Sequence, residues 1–208
     1  MRIVVNLKQY RETDKGTELL VSVPNLKLGE EIDRKCISMA ELRLDDGRTI
    51  SAEQRRKIYA TIKDISDYTG YNPEEQKEWM KLLHWKQTGD EYFSLADCSM
   101  DTAREFINTI LEYAIEQGVP LSEKAVNRTD DINRYLYFCF KHKKCAVCGQ
   151  KGEVHHVDTI GMGNDRRKVD DSEYRKLCLC RKHHTIAHQR GMDAFEKMYH
   201  VFGIVVKE

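Results

Sequence analysis

The sequence predicts an α+β protein: a small antiparallel sheet plus helices, followed by a compact, metal-stabilised C-terminal part. Three observations predict it. Apolar residues alternate along the first fifty positions, helical spacing takes over from Ser51, and four of the 7 Cys crowd into residues 145–180 among His.

The runs RIVVNLKQY, TELLVSVP and ISMAELRLDDG read as three short strands, separated by the turn signals Lys15-Gly16 and Asp46-Gly47. From Ser51 the period changes. Ser51 and Gln54 form an S-x-x-Q capping box, Ile58, Ile62, Ile65 and Thr69 follow helical spacing, and Gly70 ends the helix. Pro73 suits the first turn of a second helix through EEQKEWMKLLHW. A third starts at Ser99 or Asp101, carries Ala103, Phe106, Ile107, Ile110, Leu111, Tyr113 and Ala114 on its apolar face, and stops at Gly118. The aromatic residues of these helices read as core. GVPLSEKAVNRTDD reads as a linker and DINRYLYFCFKHKK as a helix leading into the Cys cluster. The chain is thereby divided into residues 1–122 and 123–208.

At 208 residues and 40% hydrophobic content the chain has enough apolar surface for a folded core, which excludes collagen-like and wholly disordered classes. No run approaches the roughly 18 apolar residues of a membrane span, and the first residues lack a signal-peptide pattern, so the expected location is the cytoplasm, with no membrane partner. Zero net charge hides an asymmetry. Residues 1–124 carry 18 Lys+Arg against 23 Asp+Glu, and the rest carry 16 against 11 together with seven of the 8 His. That points the C-terminal half toward nucleic acid. An odd Cys total without a secretory signal argues against a disulfide framework.

Cys145-x-x-Cys148-Gly149 is a tight turn able to present two thiolates to one tetrahedral ion, and Cys180-x-x-His183 can supply two more ligands. Together they would make a closed site for a structural Zn²⁺. Cys178 is the rival for the third position, and spacing leaves that choice open. The preference is Cys180, because C-x-x-H mirrors C-x-x-C. His184 and His188 stand at i and i+4 on one helix face. If His155 turns toward that helix, it completes with them a three-His site for a catalytic divalent metal, Mg²⁺, Mn²⁺, Ni²⁺ or Zn²⁺, and the ring of the adjacent His156 points to the other side. His156 stays off the metal, close enough to act as a general base on water in phosphodiester hydrolysis.

C-x-x-C, then V-H-H-V-D, then L-C-x-x-H-H-x-x-x-H resembles the HNH endonuclease family with its ββα-metal fold, over roughly residues 140–192. The resemblance implies His155, His184 and His188 as metal ligands, His156 as general base, and Cys145, Cys148, Cys180 and His183 as zinc-knuckle ligands. Where many members carry an Asn that orients the base, this chain has Tyr174 or Arg175; Asn164 and Asp171 are the nearby substitutes. Lys143, Lys144, Arg166, Arg167, Lys168, Arg181 and Lys182 are candidates for DNA backbone contact, with Arg175 and Lys176 beside them. RTISAEQRRKIYATIKDISDYTG and FSLADCSMDTAREFINTILEYAIEQG are similar in pattern to the phage NinB/Orf recombination proteins. That likeness implies a homodimer in a phage or prophage setting, acting on branched, single-stranded or duplex DNA with recombination or single-strand-binding partners. The function expected is a metal-dependent HNH DNA endonuclease. The alternative is a zinc-stabilised DNA-binding accessory protein without catalysis.

Overall fold

The computed structural model describes residues 5–40, 42, 47–158 and 173–206. The chain falls into two compact units, Met1–Leu44 and Asp45–Glu208.

In the first unit, β1 (Asn6–Thr13) and β2 (Gly16–Ser22) form an antiparallel hairpin. Gly16, at φ +130°, closes the turn after Asp14-Lys15. The expected third strand does not form over Ile37–Ala40; the rest of that run lies mostly outside the described residues. Its place is preceded by a helix that the sequence pattern did not suggest, α1 (Gly29–Lys35). Glu30 and Glu31 at its start and Arg34 and Lys35 at its end suit the helix dipole. Cys36 ends it in the left-handed conformation, and the Ile37 amide then donates to the Ile32 carbonyl at 3.1 Å, closing the helix end instead of joining a ladder.

The second unit opens with α2 (Ala52–Thr69), α3 (Pro73–Thr88) and α4 (Met100–Gln117). The Ser51–Gln54 capping box is present, with both reciprocal bonds at 3.1 Å. Ser99, not Asp101, caps α4, because its hydroxyl accepts from the Thr102 amide at 3.0 Å. Ile58, Ile62 and Ile65 of α2, Met80 of α3, and Phe106, Ile107, Ile110 and Leu111 of α4 make the first hydrophobic cluster. The core reading of the aromatics fails for Trp79 and Trp85, which are 51% and 53% exposed. Met80 and His84 take the inward positions of α3 instead.

Residues 118–131 are not a loose linker. They hold a short 3₁₀ turn, Ala125–Asn127, and are strapped onto α2 by the buried Arg128 and the partly buried Lys57. Arg128, only 3% exposed, donates to Thr61 at 3.2 Å and Ser122 at 2.9 Å and pairs with Asp64 at 3.4 Å. Lys57 donates to Asp130 at 2.6 Å. The boundary expected at residue 122 falls inside this strap, whereas the division by compactness lies at 44/45.

Beyond the strap come α5 (Ile132–Lys141), β3 (Glu153–His156), β4 (Arg175–Leu179), α6 (Arg181–Arg190), α7 (Met192–Tyr199) and β5 (Ile204–Val205). The sheet order is β3-β4-β5, antiparallel throughout, with His155 opposite Leu177 and His156 opposite Lys176. A second cluster built on Tyr135, Leu136, Phe138, Leu177, Leu179, Ala187 and Phe195 lies beneath it. This cluster fixes the strand pair and α6 relative to α5, and so fixes the Cys and His residues they carry. Among the described residues, no helix is long and apolar enough to cross a membrane.

Candidate metal centres and active site

The chain leaves α5 through Lys143, whose positive φ of 51° turns it into the knuckle. The Gly149 amide then reaches back to the Cys145 carbonyl at 2.8 Å, with Gly149 itself at φ +69°. This turn presents Cys145 and Cys148 side by side. Gly152 passes so close to β4 that a Cβ there would stand 2.6 Å from the Cys178 sulfur. Opposite the knuckle, Cys180 is the N-cap of α6 and His183 lies in its first turn. Cys145 Sγ is 3.4 Å and Cys180 Sγ 3.2 Å from His183 Nδ1, and Cys148 Sγ is 3.7 Å from Cys180 Sγ.

These spacings fit a tetrahedral ion: ligands at roughly 2.0–2.3 Å from one zinc stand about 3.5–3.8 Å from each other. Burial raises the Cys148 thiol to about 12, whereas hydrogen bonds from the His183 and Lys182 amides and neighbouring thiols outweigh burial at Cys180 and lower it. A bound cation would favour all three thiolates. Cys178 is not in the group. It lies inside β4, opposite Val154 and fully buried, while Cys180 is past the end of the strand. Strand alternation therefore does not govern the pair, which is why spacing left the choice open.

The second group is formed by His155 of β3 with His184 and His188 of α6. His155 is 4% exposed, and its ring centroid lies 4.7 Å from that of His184 and 4.9 Å from that of His188. The Nε2 atoms of His184 and His188 approach to 3.1 Å. Burial first, and then the three neighbouring His, lowers the His155 pKa to about 4, so its imidazole is neutral at pH 7 and keeps a lone pair for an ion. His188 is exposed and His184 half-buried, while in the Cys-rich group Cys145 and His183 are buried, Cys180 is half-buried and Cys148 is exposed. What distinguishes the two groups is ligand number: four candidate ligands in one and three in the other, the difference that separates structural zinc sites from catalytic ones with an open position.

His156 is half-buried and outside both groups, one residue along β3 from His155 and pointing away by strand alternation. Two residues further, Asp158 accepts from the Arg175 backbone amide and guanidinium, both at 2.7 Å, and Arg175 holds its carboxyl below the usual range. Arg175, a candidate for phosphate contact, thus already has a carboxylate partner while its side chain stays half exposed. Lys176, the second residue of β4, is buried.

Glu153 is the site residue that motif reading missed. Its carboxylate is 2.7 Å from His184 Nδ1, which turns the other ring nitrogen toward His188, and it also pairs with Arg181 at 3.5 Å. The signal was available, since Glu153 and His155 stand at i and i+2 and therefore on one side of β3.

Of the candidate backbone-binding cations, Lys143, Arg181 and Lys182 are exposed. The Lys144 ammonium instead lies at the C-terminal end of α4, 3.4 Å from where a Cβ on Gly118 would be. Arg166, Arg167 and Lys168, like Asn164 and Asp171, lie outside the described residues.

Fold and site together define an α+β protein in which a Cys-x-x-Cys turn, two strands and the following helix carry one four-residue Cys/His group and one three-residue His group. Residues 27–208 match the family described as "Putative HNHc nuclease", and the chain belongs to that family. The match begins well before the Cys and His residues, so α2, α3 and α4 are part of the same family unit. No curated protein and no solved structure matches the chain.

Proposed function

We propose that the protein is a metal-dependent DNA endonuclease in which His156 is the general base, His155, His184 and His188 hold the catalytic divalent metal, and Cys145, Cys148, Cys180 and His183 hold a structural Zn²⁺. The observation that carries this reading is the neutral, buried His155, flanked by two ring nitrogens from α6 and adjacent in sequence to a second imidazole off the group. When bound, the metal supplies Lewis-acid stabilisation of charge on the phosphate and its leaving oxygen. His156 accepts the proton of the attacking water at a ring nitrogen. Glu153 fixes the His184 tautomer and ring plane. The exposed Lys143, Arg181 and Lys182 meet the DNA backbone, which makes binding salt-sensitive and largely indifferent to sequence.

Residues 1–122 serve in this reading as the part that selects and holds DNA, and residues 123–208 as the cutting part. The NinB/Orf-like pattern supports recombination or replication of phage DNA in the host cytoplasm as the setting, with branched or single-stranded DNA preferred. The test incubates metal-stripped, zinc-reconstituted protein with supercoiled plasmid and a four-way junction in Mg²⁺, Mn²⁺ or Ni²⁺. Metal-dependent cleavage is expected, faster on the junction. Tight DNA binding with no cleavage under any ion would replace this reading with the zinc-stabilised DNA-binding one.

A further inference from the structure

The outward face of α3 carries a row of residues that nuclease chemistry does not use. Glu75, Trp79, Leu82 and Lys86 follow at steps of four, three and four, which places them along one side of the helix, and all four are exposed. Trp85, three residues beyond Leu82, widens the row, and Tyr113 of α4 meets the Trp79 ring edge-on at 5.7 Å. A fully buried aromatic side chain covers roughly 150–250 Å². Half of that from Trp79 and Trp85, with Leu82 and the rim of Tyr113, gives roughly 300 Å² of contiguous apolar surface. A patch of about 300 Å² matches the largest that ordinary monomers expose, often a functional one, and would supply part of the apolar centre of a standard interface of about 800 Å² per partner.

The order of the row identifies the occupant. Positions 75 and 86, and positions 79 and 82, are symmetric about the same point between residues 80 and 81. When two copies of α3 lie antiparallel, Glu75 of one therefore faces Lys86 of the other, and Trp79 faces Leu82, twice over. That self-complementarity is what a two-fold contact requires. Neither Glu75 nor Lys86 forms an ion pair among the described residues, so both charges are available for it. A nucleic acid fits this face poorly. Residues 45–124 carry 16 Asp+Glu against 10 Lys+Arg, and Lys77, next along α3, is already paired with Glu74.

We propose that the outward face of α3 is a self-association surface, in which two copies of the chain pack α3 antiparallel about a two-fold axis beside residues 80 and 81. This dimer carries two candidate nuclease sites, and its surface is distinct from either Cys/His group.

Sedimentation equilibrium of the full zinc-loaded chain, from about 1 to 100 μM, tests it. The wild type is expected to be a dimer in that range. Glu75→Lys and Lys86→Glu, each creating two like-charge pairs, are expected to weaken the dimer about tenfold or more, as is Trp79→Ala. The double variant Glu75→Lys/Lys86→Glu is expected to restore it, a rescue that neither misfolding nor a different dimer surface would give. A wild-type monomer throughout, a dimer indifferent to the charge reversals, or a double variant as weak as the singles would overturn the proposal. Cleavage is not the readout, so the result stands whether or not the nuclease reading holds.

Discussion

On the proposed nuclease reading, His156 and Glu153, which lie on the same four-residue strand, have separable jobs. Replacing His156 with Ala removes a general base without touching a ligand, so cleavage is expected to fall by roughly 10²–10⁴ at unchanged metal affinity. Replacing Glu153 with Ala frees His184 to rotate and is expected to weaken divalent metal binding roughly 10–100-fold, measurable by calorimetry, with Glu153→Gln closer to wild type. His155 sets a pH dependence of its own. Its folded pKa of about 4 lies below the ordinary histidine value of about 6.5, so between those pH values the unfolded chain binds a proton that the folded chain does not. Stability of the metal-free protein is therefore expected to fall as pH drops from about 6.5 to 4, and His155→Gln is expected to flatten that slope in urea titrations. Motif reading had already singled out His155, His156, His184 and His188. Glu153 was missed because a lone exposed carboxylate on a short strand has many uses, and only the packing of α6 on β3 gives it one.

At the scale of elements, two close fits hold the site together. The knuckle is pressed against β4 at Gly152, where a methyl group would meet the Cys178 sulfur and the Cys145 amide. Gly152→Ala is expected to cost about 1–3 kcal/mol and, on the proposed reading, to weaken zinc retention against a chelator, because the strain falls on the backbone of the proposed ligand Cys145. The strap is anchored at Arg128, whose guanidinium is buried against Asp64, Thr61 and Ser122. Arg128→Ala leaves Asp64 without its cation and is expected to destabilise the fold by about 3 kcal/mol in a urea titration. The long helices were legible because each has a cap and a sustained apolar period: Ser51 and Gln54, Pro73, Ser99 and Gly118. The shorter elements were not. α1 depends on charge placement and a left-handed Cys36 instead of periodicity, and the strap looks like a linker because its polar residues find their partners forty or more positions away on α2.

For the whole molecule, the charge asymmetry and the Cys and His spacing led to the correct family, while the course of the chain between its two hydrophobic clusters had to be seen in three dimensions. α4 contributes to both clusters, through Phe106 and Leu111 to one and Ile115 to the other. No composition break marks such a shared helix. On the proposed reading, removing a Zn²⁺ held by the four Cys/His residues is expected to loosen α5, β3, β4 and α6 together, because the knuckle and the α6 N-terminus meet at those residues and the second cluster. Hydrogen exchange after chelation would then show lost protection over residues 132–190, with α2 and α4 still protected.

The most direct test of the central claim compares wild type and His156→Ala at matched, independently measured occupancy of zinc and of the divalent metal, following cleavage of one DNA substrate in single turnover. The nuclease account predicts equal metal content and a rate at least about a hundredfold lower in the variant. Equal rates at equal metal content would remove His156 as the base, and no cleavage by either protein would contradict the account as a whole.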